Sequence, residues 1–316
     1  MDNIAELRAV EKSFGDVRAV SEVSLPVPRG AIMGLLGPSG SGKTSLIRLL
    51  LGVLTPDRGQ VEVFGRDPRK LTARDRERLG YSPQLLYLYP ALSVSETMSF
   101  YASTYGLPWF RGRRRRIPGL LAEVDLLEAK NRLVGSLSGG MRKRLSVARA
   151  LINDPELVFF DEPTAGIDPI LRQKMWGYFR QLADRGKTLF ITTHYAGEAE
   201  LCDQIALVAD GKLIELGSPI ELRRRALGGD LVDIVASQWE PSTLAEIARL
   251  PGVERVQLVS HDTLRVHVAE AASEMPRLLD ALNERDVEVS SMTEQRPPFD
   301  DVFAELVRRH EGESAA

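Results

Sequence analysis

The sequence predicts an α/β protein in two parts: a mixed-sheet core over about residues 1–225, interrupted by a helical subdomain at about 85–137, and a small α+β domain of ferredoxin-like order over 226–316. Three observations carry this. An apolar run from Ala31 to Leu36 leads into a glycine-rich loop and then into apolar residues at helical spacing. Leu157 to Phe160 form the continuous apolar run of a parallel strand buried on both faces. From about Leu231 the pattern becomes strand, helix, strand, strand, helix, strand. A length of 316 residues, 43% hydrophobic and 27% charged, suits two globular domains better than one core.

In "AIMGLLGPSGSGKTSLIRLLLGV" the apolar residues Leu46, Leu49, Leu50 and Val53 give the order strand, loop, helix. Within it "GPSGSGKT", residues 37–44, fits G-x-x-x-x-G-K-[ST] without a mismatch. Gly37, Gly40 and Gly42 let backbone N–H groups curl round phosphates, Pro38, Ser39 and Ser41 complete the loop, and Ser45 follows in the helix. Lys43 supplies a point charge to the β- and γ-phosphates, and the Thr44 hydroxyl can ligate Mg²⁺. A turn that held no ligand would not require Lys and Thr at those two places.

Gln84, in "YSPQ", is a neutral amide near a turn, a weaker signal. The helix-rich segment that follows crowds Tyr87, Tyr89, Phe100, Tyr101, Tyr105, Trp109 and Phe110 into its first half, as a core or as a partner groove. "RGRRRR", residues 111–116, reads first as a solvated helix start and second as a contact for anionic headgroups or an acidic partner loop. "LSGGMRKR", residues 137–144, sets Ser138, Gly139 and Gly140 before a helix with Met141, Leu145, Ala148, Leu151 and Ile152 on one face, ended by Asn153, Asp154 and Pro155. It is a second anion-binding helix start, and an ordinary capped helix would not require its paired glycines.

Asp161 and Glu162 close the Leu157–Phe160 strand at the edge where open α/β sheets bind ligands. There Asp161 can reach a Mg²⁺ shell and Glu162 can take a proton from an attacking water. "KTLFITTH" delivers His194 to the same edge, 33 residues past Asp161 (194 − 161), while His261, His267 and His310 read as ordinary solvated or core residues. "IALVADGKLIELGSP" is a hairpin about Asp210 and Gly211 that closes the sheet. In the tail, strands fall at "LVDIVA", "VERVQLVS", "TLRVHVA" and "VEVSS", and helices at "STLAEIARL", with a Thr243 to Glu246 capping box, and "SEMPRLLDALNE". "DDVFAELVRR" forms a last helix, and no catalytic cluster accompanies it.

Composition narrows the function. A formal net charge of −3 and a pI near 5.9 argue against a nucleic-acid-coating role. No run reaches the roughly 18 to 20 apolar residues of a membrane span, and the first residues lack signal-peptide character, so the expected location is the cytosol. The single cysteine, Cys202, reads as buried packing.

Taken together these motifs resemble the nucleotide-binding subunit of an ATP-binding cassette (ABC) transporter over roughly residues 4–225. The resemblance implies a P-loop NTPase cassette using ATP and Mg²⁺. Phe14 then corresponds to the aromatic stacked on adenine, Lys43 and Thr44 to the Walker A loop, and Gln84 to the Q-loop, which makes Gln84 an expected metal residue beside Thr44 and Asp161 and an expected catalytic residue beside Glu162 and His194. Ser138 to Gly140 correspond to the signature, Asp161 and Glu162 to Walker B, Asp168 to the D-loop, and His194 to the switch histidine. Met141 stands where the signature usually has Gln, and with "TTHYAGEAELCD" it looks like the branch serving drug and antibiotic exporters whose permease is a separate chain. That branch often carries a C-terminal domain. The resemblance also implies a head-to-tail pair of cassettes, each signature helix facing ATP held by the other, docked on the inner face of the cell membrane under integral permease subunits.

Two further readings compete. A soluble ABC ATPase acting on ribosomes or DNA usually has two cassettes in one chain or long coiled coils, neither of which this acidic chain has. A regulatory binder without turnover is disfavoured by the presence of both Glu162 and His194.

Overall fold

An antiparallel hairpin opens the chain, β1 (Asn3–Phe14) turning through Gly15, at φ 57°, into β2 (Val17–Pro28). A fully buried strand, β3 (Ile32–Leu36), then leads through the glycine loop into α1 (Lys43–Leu50), and β4 (Arg58–Val63) returns to pair with the other edge of β1. The computed structural model describes residues 2–107 and 114–315, and the chain divides into two units, Met1–Leu216 and Gly217–Ala316.

Helix α1 buries Leu46, Ile47, Leu49 and Leu50, whereas Val53, expected on that face, is 70% exposed. The helix stops first: Gly52 takes φ 70°, and a Cβ there would lie 2.7 Å from the Pro68 backbone, so only glycine fits the exit turn.

After α2 (Ala73–Glu77) and β5 (Leu79–Ser82), helices α3 (Val94–Thr104) and α4 (Arg114–Glu123) lie within the segment expected to be helix-rich, and α5 (Gly139–Ala150) follows it. Trp109, Phe110 and Arg111 to Arg113 lie outside the described residues. Within the run, Arg116 departs from the solvated reading, because its guanidinium donates to the carbonyls of Leu151 and Ile152 at the C-terminal end of α5 and pairs with Asp154. A cation there satisfies carbonyls the helix cannot, and complements its dipole.

The second half supplies β6 (Leu157–Asp161), α6 (Pro169–Asp184), β7 (Thr188–Thr193), α7 (Ala196–Ala199), β8 (Gln204–Ala209) and β9 (Lys212–Gly217). The sheet order is β5-β6-β7-β3-β8-β9, and every residue of β3, β6 and β7 is buried. Both faces are covered, which is why these strands read as unbroken apolar runs. Phe160 stacks on Phe179 of α6 with centroids 4.8 Å apart, and each such fully buried ring contributes roughly 1.5–3 kcal/mol. Cys202 packs against Gly34, where an added Cβ would lie 2.6 Å from its sulfur, and burial raises its thiol pKa. The β8–β9 turn has positive φ at both Asp210 and Gly211, as a two-residue hairpin requires.

The second unit begins at Gly217, nine residues before the boundary at 226 that the sequence suggests, and its first helix is α8 (Pro219–Leu227). Within that unit Arg224 pairs with Asp230, and Arg309 donates to the carbonyls of Arg225 and Ala226. Then come β10 (Asp230–Ala236), α9 (Pro241–Ile247), β11 (Val253–Leu258), β12 (Thr263–Val268), α10 (Ala271–Asn283), β13 (Val289–Gln295) and α11 (Phe299–Ala315). The antiparallel order β11-β12-β10-β13 is ferredoxin-like. Helix α9 does not start at a Thr243 capping box. Pro241, with φ already helical, takes its first turn, and Glu240 stands at the cap with no side-chain bond to the helix backbone.

Candidate nucleotide site

Register brings the motifs together. Leu36 pairs with Thr193, Asp161 with Thr192, and Phe160 with Ser82, so Gly37, Glu162, His194 and Gln84 all leave the sheet at one C-terminal edge.

In the glycine loop Gly40 and Gly42 take φ of 84° and 99°, and a Cβ on Gly42 would lie 2.3 Å from the Ala19 carbonyl of β2. Gly37 is as tightly held, with the Val208 carbonyl 2.1 Å from an added Cβ. Gly42 caps α1 without a side chain, which leaves the first-turn N–H groups without a side-chain partner. Lys43 is 5% exposed, and its ammonium donates to the carbonyls of Gly37 (2.8 Å) and Pro38 (2.9 Å). Burial lowers its pKa, with Glu162 and Asp161 opposing the shift. Ser41 Oγ is buried without a hydrogen-bond partner among the described residues. A cationic, donor-rich loop with an unsatisfied hydroxyl fits a phosphate chain.

Thr44 Oγ1 donates to Asp161 Oδ2 at 3.1 Å, and Thr192 Oγ1 holds Asp161 Oδ1 at 2.7 Å. Two hard oxygens are thereby adjacent beside the cradle. Among the described residues no group of three His, Cys, Asp or Glu could hold a metal by itself, so a cation here would complete its shell with phosphate and water, as Mg²⁺ does.

Glu162 is 8% exposed and takes φ 49°, uncommon for a side chain-bearing residue. Gln84 Nε2 donates to its Oε2 at 2.8 Å, so the Gln84 amide is engaged by Glu162 rather than by the Thr44–Asp161 pair. His194 Nδ1 stands 3.5 Å from the same oxygen, and its ring lies against Tyr195 at 4.2 Å between centroids.

Two residues missed by sequence reasoning fix the Glu162 backbone: its N–H donates to Thr192 Oγ1 at 2.9 Å, and Lys143 Nζ donates to its carbonyl at 2.8 Å. A threonine near the end of an apolar strand and a lysine within a basic helix gave no distinct signal.

The signature residues do not join this edge. Ser138 Oγ caps α5 by accepting from Met141 N, and Asp168 Oδ1 caps α6 by accepting from Leu171 N. A Cβ on Gly140 would lie 2.6 Å from Leu171 Cδ2, so the two helix starts pack closely. Ser138, Gly139, Gly140 and Asp168 line one open depression of about 480 Å³, separate from the loop of residues 37–45. Phe14 is 46% exposed at the end of β1, with Lys12 Nζ 5.7 Å from its ring centre.

Comparison with known proteins agrees with this geometry. The family model described as "ABC transporter" matches residues 20–165, and that described as "ATP-binding protein DrrA1-3-like, C-terminal domain" matches 217–307. The Nod factor export ATP-binding protein I of Cupriavidus pinatubonensis is 40% identical over 85% of this chain and 82% of its own. A probable multidrug ABC transporter ATP-binding protein of Escherichia coli is 35% identical over 75% of this chain and 41% of its own. Among solved structures, a dimeric ATP-binding cassette in a post-hydrolysis state, bound to ADP and Pi, superposes with a TM-score of 0.63 at 26% identity, covering 68% of this chain and 98% of that one. With its phosphate loop, its strand-end carboxylates and its separate glycine-paired helix start, the chain belongs to the ATP-binding, ATP-hydrolysing subunits of ABC transporters.

Proposed function

We propose that this chain powers export through a separately encoded membrane permease, working as a pair of identical cassettes at the inner face of the membrane. The observation that carries the reading is the separation of two half-sites on one chain. The loop at 37–45 with Asp161, Glu162, Gln84 and His194 is one half. The depression lined by Ser138, Gly139, Gly140 and Asp168 is the other. A head-to-tail pair completes both, and ATP holds it closed until hydrolysis releases it. The exporter names of the relatives support the direction of transport.

Within the site, Lys43 and the loop N–H groups neutralise and orient the phosphates, and Phe14 stacks on the adenine. Thr44 and Asp161 are the protein oxygens for Mg²⁺, and the Gln84 amide faces Glu162 instead. Bound there, Mg²⁺ would act as a Lewis acid toward the phosphate oxygens. Glu162 takes the proton of the attacking water, with its carboxylate aimed by Gln84 and His194. The α5 N-terminus, capped by Ser138, points its dipole at the γ-phosphate of the partner's ATP, and Asp168 lies beside it.

Leu85, Tyr87 and Tyr89, which follow Gln84 in the chain, are exposed, as is Phe100, edge to face with Tyr89 at 5.4 Å, and the four supply an apolar seat for the permease. No helix among the described residues is long and apolar enough to cross a membrane. The test is affinity purification of the tagged chain from detergent-solubilised membranes of its native host. Co-purification of an integral membrane protein that raises its ATPase rate is expected. Retention on ribosomes or DNA, with no membrane protein, would overturn the transport reading.

A further inference from the structure

We infer that Lys143 is a positioning residue for Glu162, through which the signature helix of each chain is mechanically tied to that chain's own hydrolytic site. The inference rests on the composite-site reading above. Lys143 lies three and four residues past Gly140 and Gly139, on the same side of α5 as the paired glycines. Lys143 is half-buried. It donates to the Glu162 carbonyl at 2.8 Å, and burial lowers its pKa against the pull of the Glu162 and Asp161 carboxylates.

What it holds matters for the chemistry. Glu162 sits in the left-handed region at φ 49°, where a side chain-bearing residue stays only if its surroundings enforce it. Thr192 fixes the N–H side of that residue, and Lys143, beside a longer bond of 3.3 Å from the Ala165 N–H, the carbonyl side. The side chain leaving this backbone is the one that meets Gln84 and His194. A shift of α5 is therefore transmitted by one hydrogen bond to the orientation of Glu162.

The consequence is an asymmetry of address. The glycines of α5 serve the ATP in the partner's cradle, while Lys143, one turn further on, acts on the base of its own. Engagement of one site by ATP is felt at the other.

The test uses the full-length chain in its ATPase-active assembly. For the Lys143→Met homodimer we expect kcat to fall about tenfold or more, since small misplacement of a catalytic group is costly, with ATP affinity changed less than about twofold. Lys143→Arg, which keeps a donor, should recover most of the rate. An unchanged kcat in Lys143→Met, or a drop confined to ATP affinity, would overturn the inference. Address is read from heterodimers with Ser138→Arg, which blocks a signature. With Lys143→Met on one chain and Ser138→Arg on the other, the Ser138→Arg chain keeps a cradle with an intact Glu162 setting and faces an open signature. That pair should retain activity, and the pair carrying both changes on one chain should lose it. The reverse order would mean that Lys143 acts on the partner's phosphates. A heterodimer of Lys43→Ala with Ser138→Arg, run alongside, is active if sites are composite and silent if they are not, so failure of that reading is seen separately.

Discussion

Thr44 Oγ1 and Asp161 Oδ2 lie 3.1 Å apart, joined by a hydrogen bond between the first turn of α1 and the end of β6. The hydroxyl follows the phosphate loop, the carboxylate ends a buried strand, and their meeting makes the loop and the sheet edge one site. Replacing Asp161 by Asn should leave nucleotide binding measurable in EDTA but raise the Mg²⁺ needed for half-maximal ATPase by about tenfold or more. A Mg²⁺ titration unchanged from that of the parent would exclude Asp161 from the metal site.

Lys43 and Glu162 should fail differently. Lys43→Ala removes a buried charge aimed at the loop and should weaken ATP binding by about 2 kcal/mol, roughly thirtyfold in Kd. Glu162→Gln keeps the shape and loses only the proton acceptor, so Kd should hold while kcat drops by about 10²–10⁴. Fluorescent-nucleotide titration and single-turnover hydrolysis separate the two, and parental turnover in Glu162→Gln would refute its assignment as base.

Arg116 is a structural prediction. Its guanidinium satisfies the Leu151 and Ile152 carbonyls, so Arg116→Ala should lower the stability of the first unit by about 1–2 kcal/mol in urea unfolding without changing ATP affinity. An unchanged midpoint would mean that water replaces the guanidinium at no cost.

These cases mark how far the sequence is legible. "GPSGSGKT" and the acids after Phe160 were readable because spacing alone dictates their geometry, and the ferredoxin-like order because short β-rich runs and helical runs succeed one another in that order, although only β12 alternates along its whole length. Thr192, Lys143 and Arg116 were not, since each acts through a hydrogen bond to a group 30, 19 or 36 residues away. Periodicity carries no trace of such contacts. The β1–β2 hairpin hid for another reason: repeated register shifts, with Ala9 and Glu22 at positive φ, break the period-2 pattern. At Thr243 a valid local cap lost to Pro241, which starts the helix sooner.

A chain ended at Leu216 should stay folded and bind ATP, because every residue from Phe14 to His194 assigned to the site lies in the first unit. Equilibrium nucleotide binding on a soluble truncation, with circular dichroism to establish folding, checks this. Loss of binding in a folded truncation would show that the second unit completes the site.

The central claim is that Ser138, Gly139 and Gly140 serve ATP held by a second copy, and purified heterodimers test it most directly. Pairing a Lys43→Ala chain with a Ser138→Arg chain leaves one complete composite site, formed by the Ser138→Arg chain's cradle and the Lys43→Ala chain's signature. Pairing a parental chain with one carrying both changes leaves none. The measurement is the ATPase rate of the two heterodimers against the doubly altered homodimer. The account predicts activity in the first pair and background in the second; activity in the second with background in the first would contradict it.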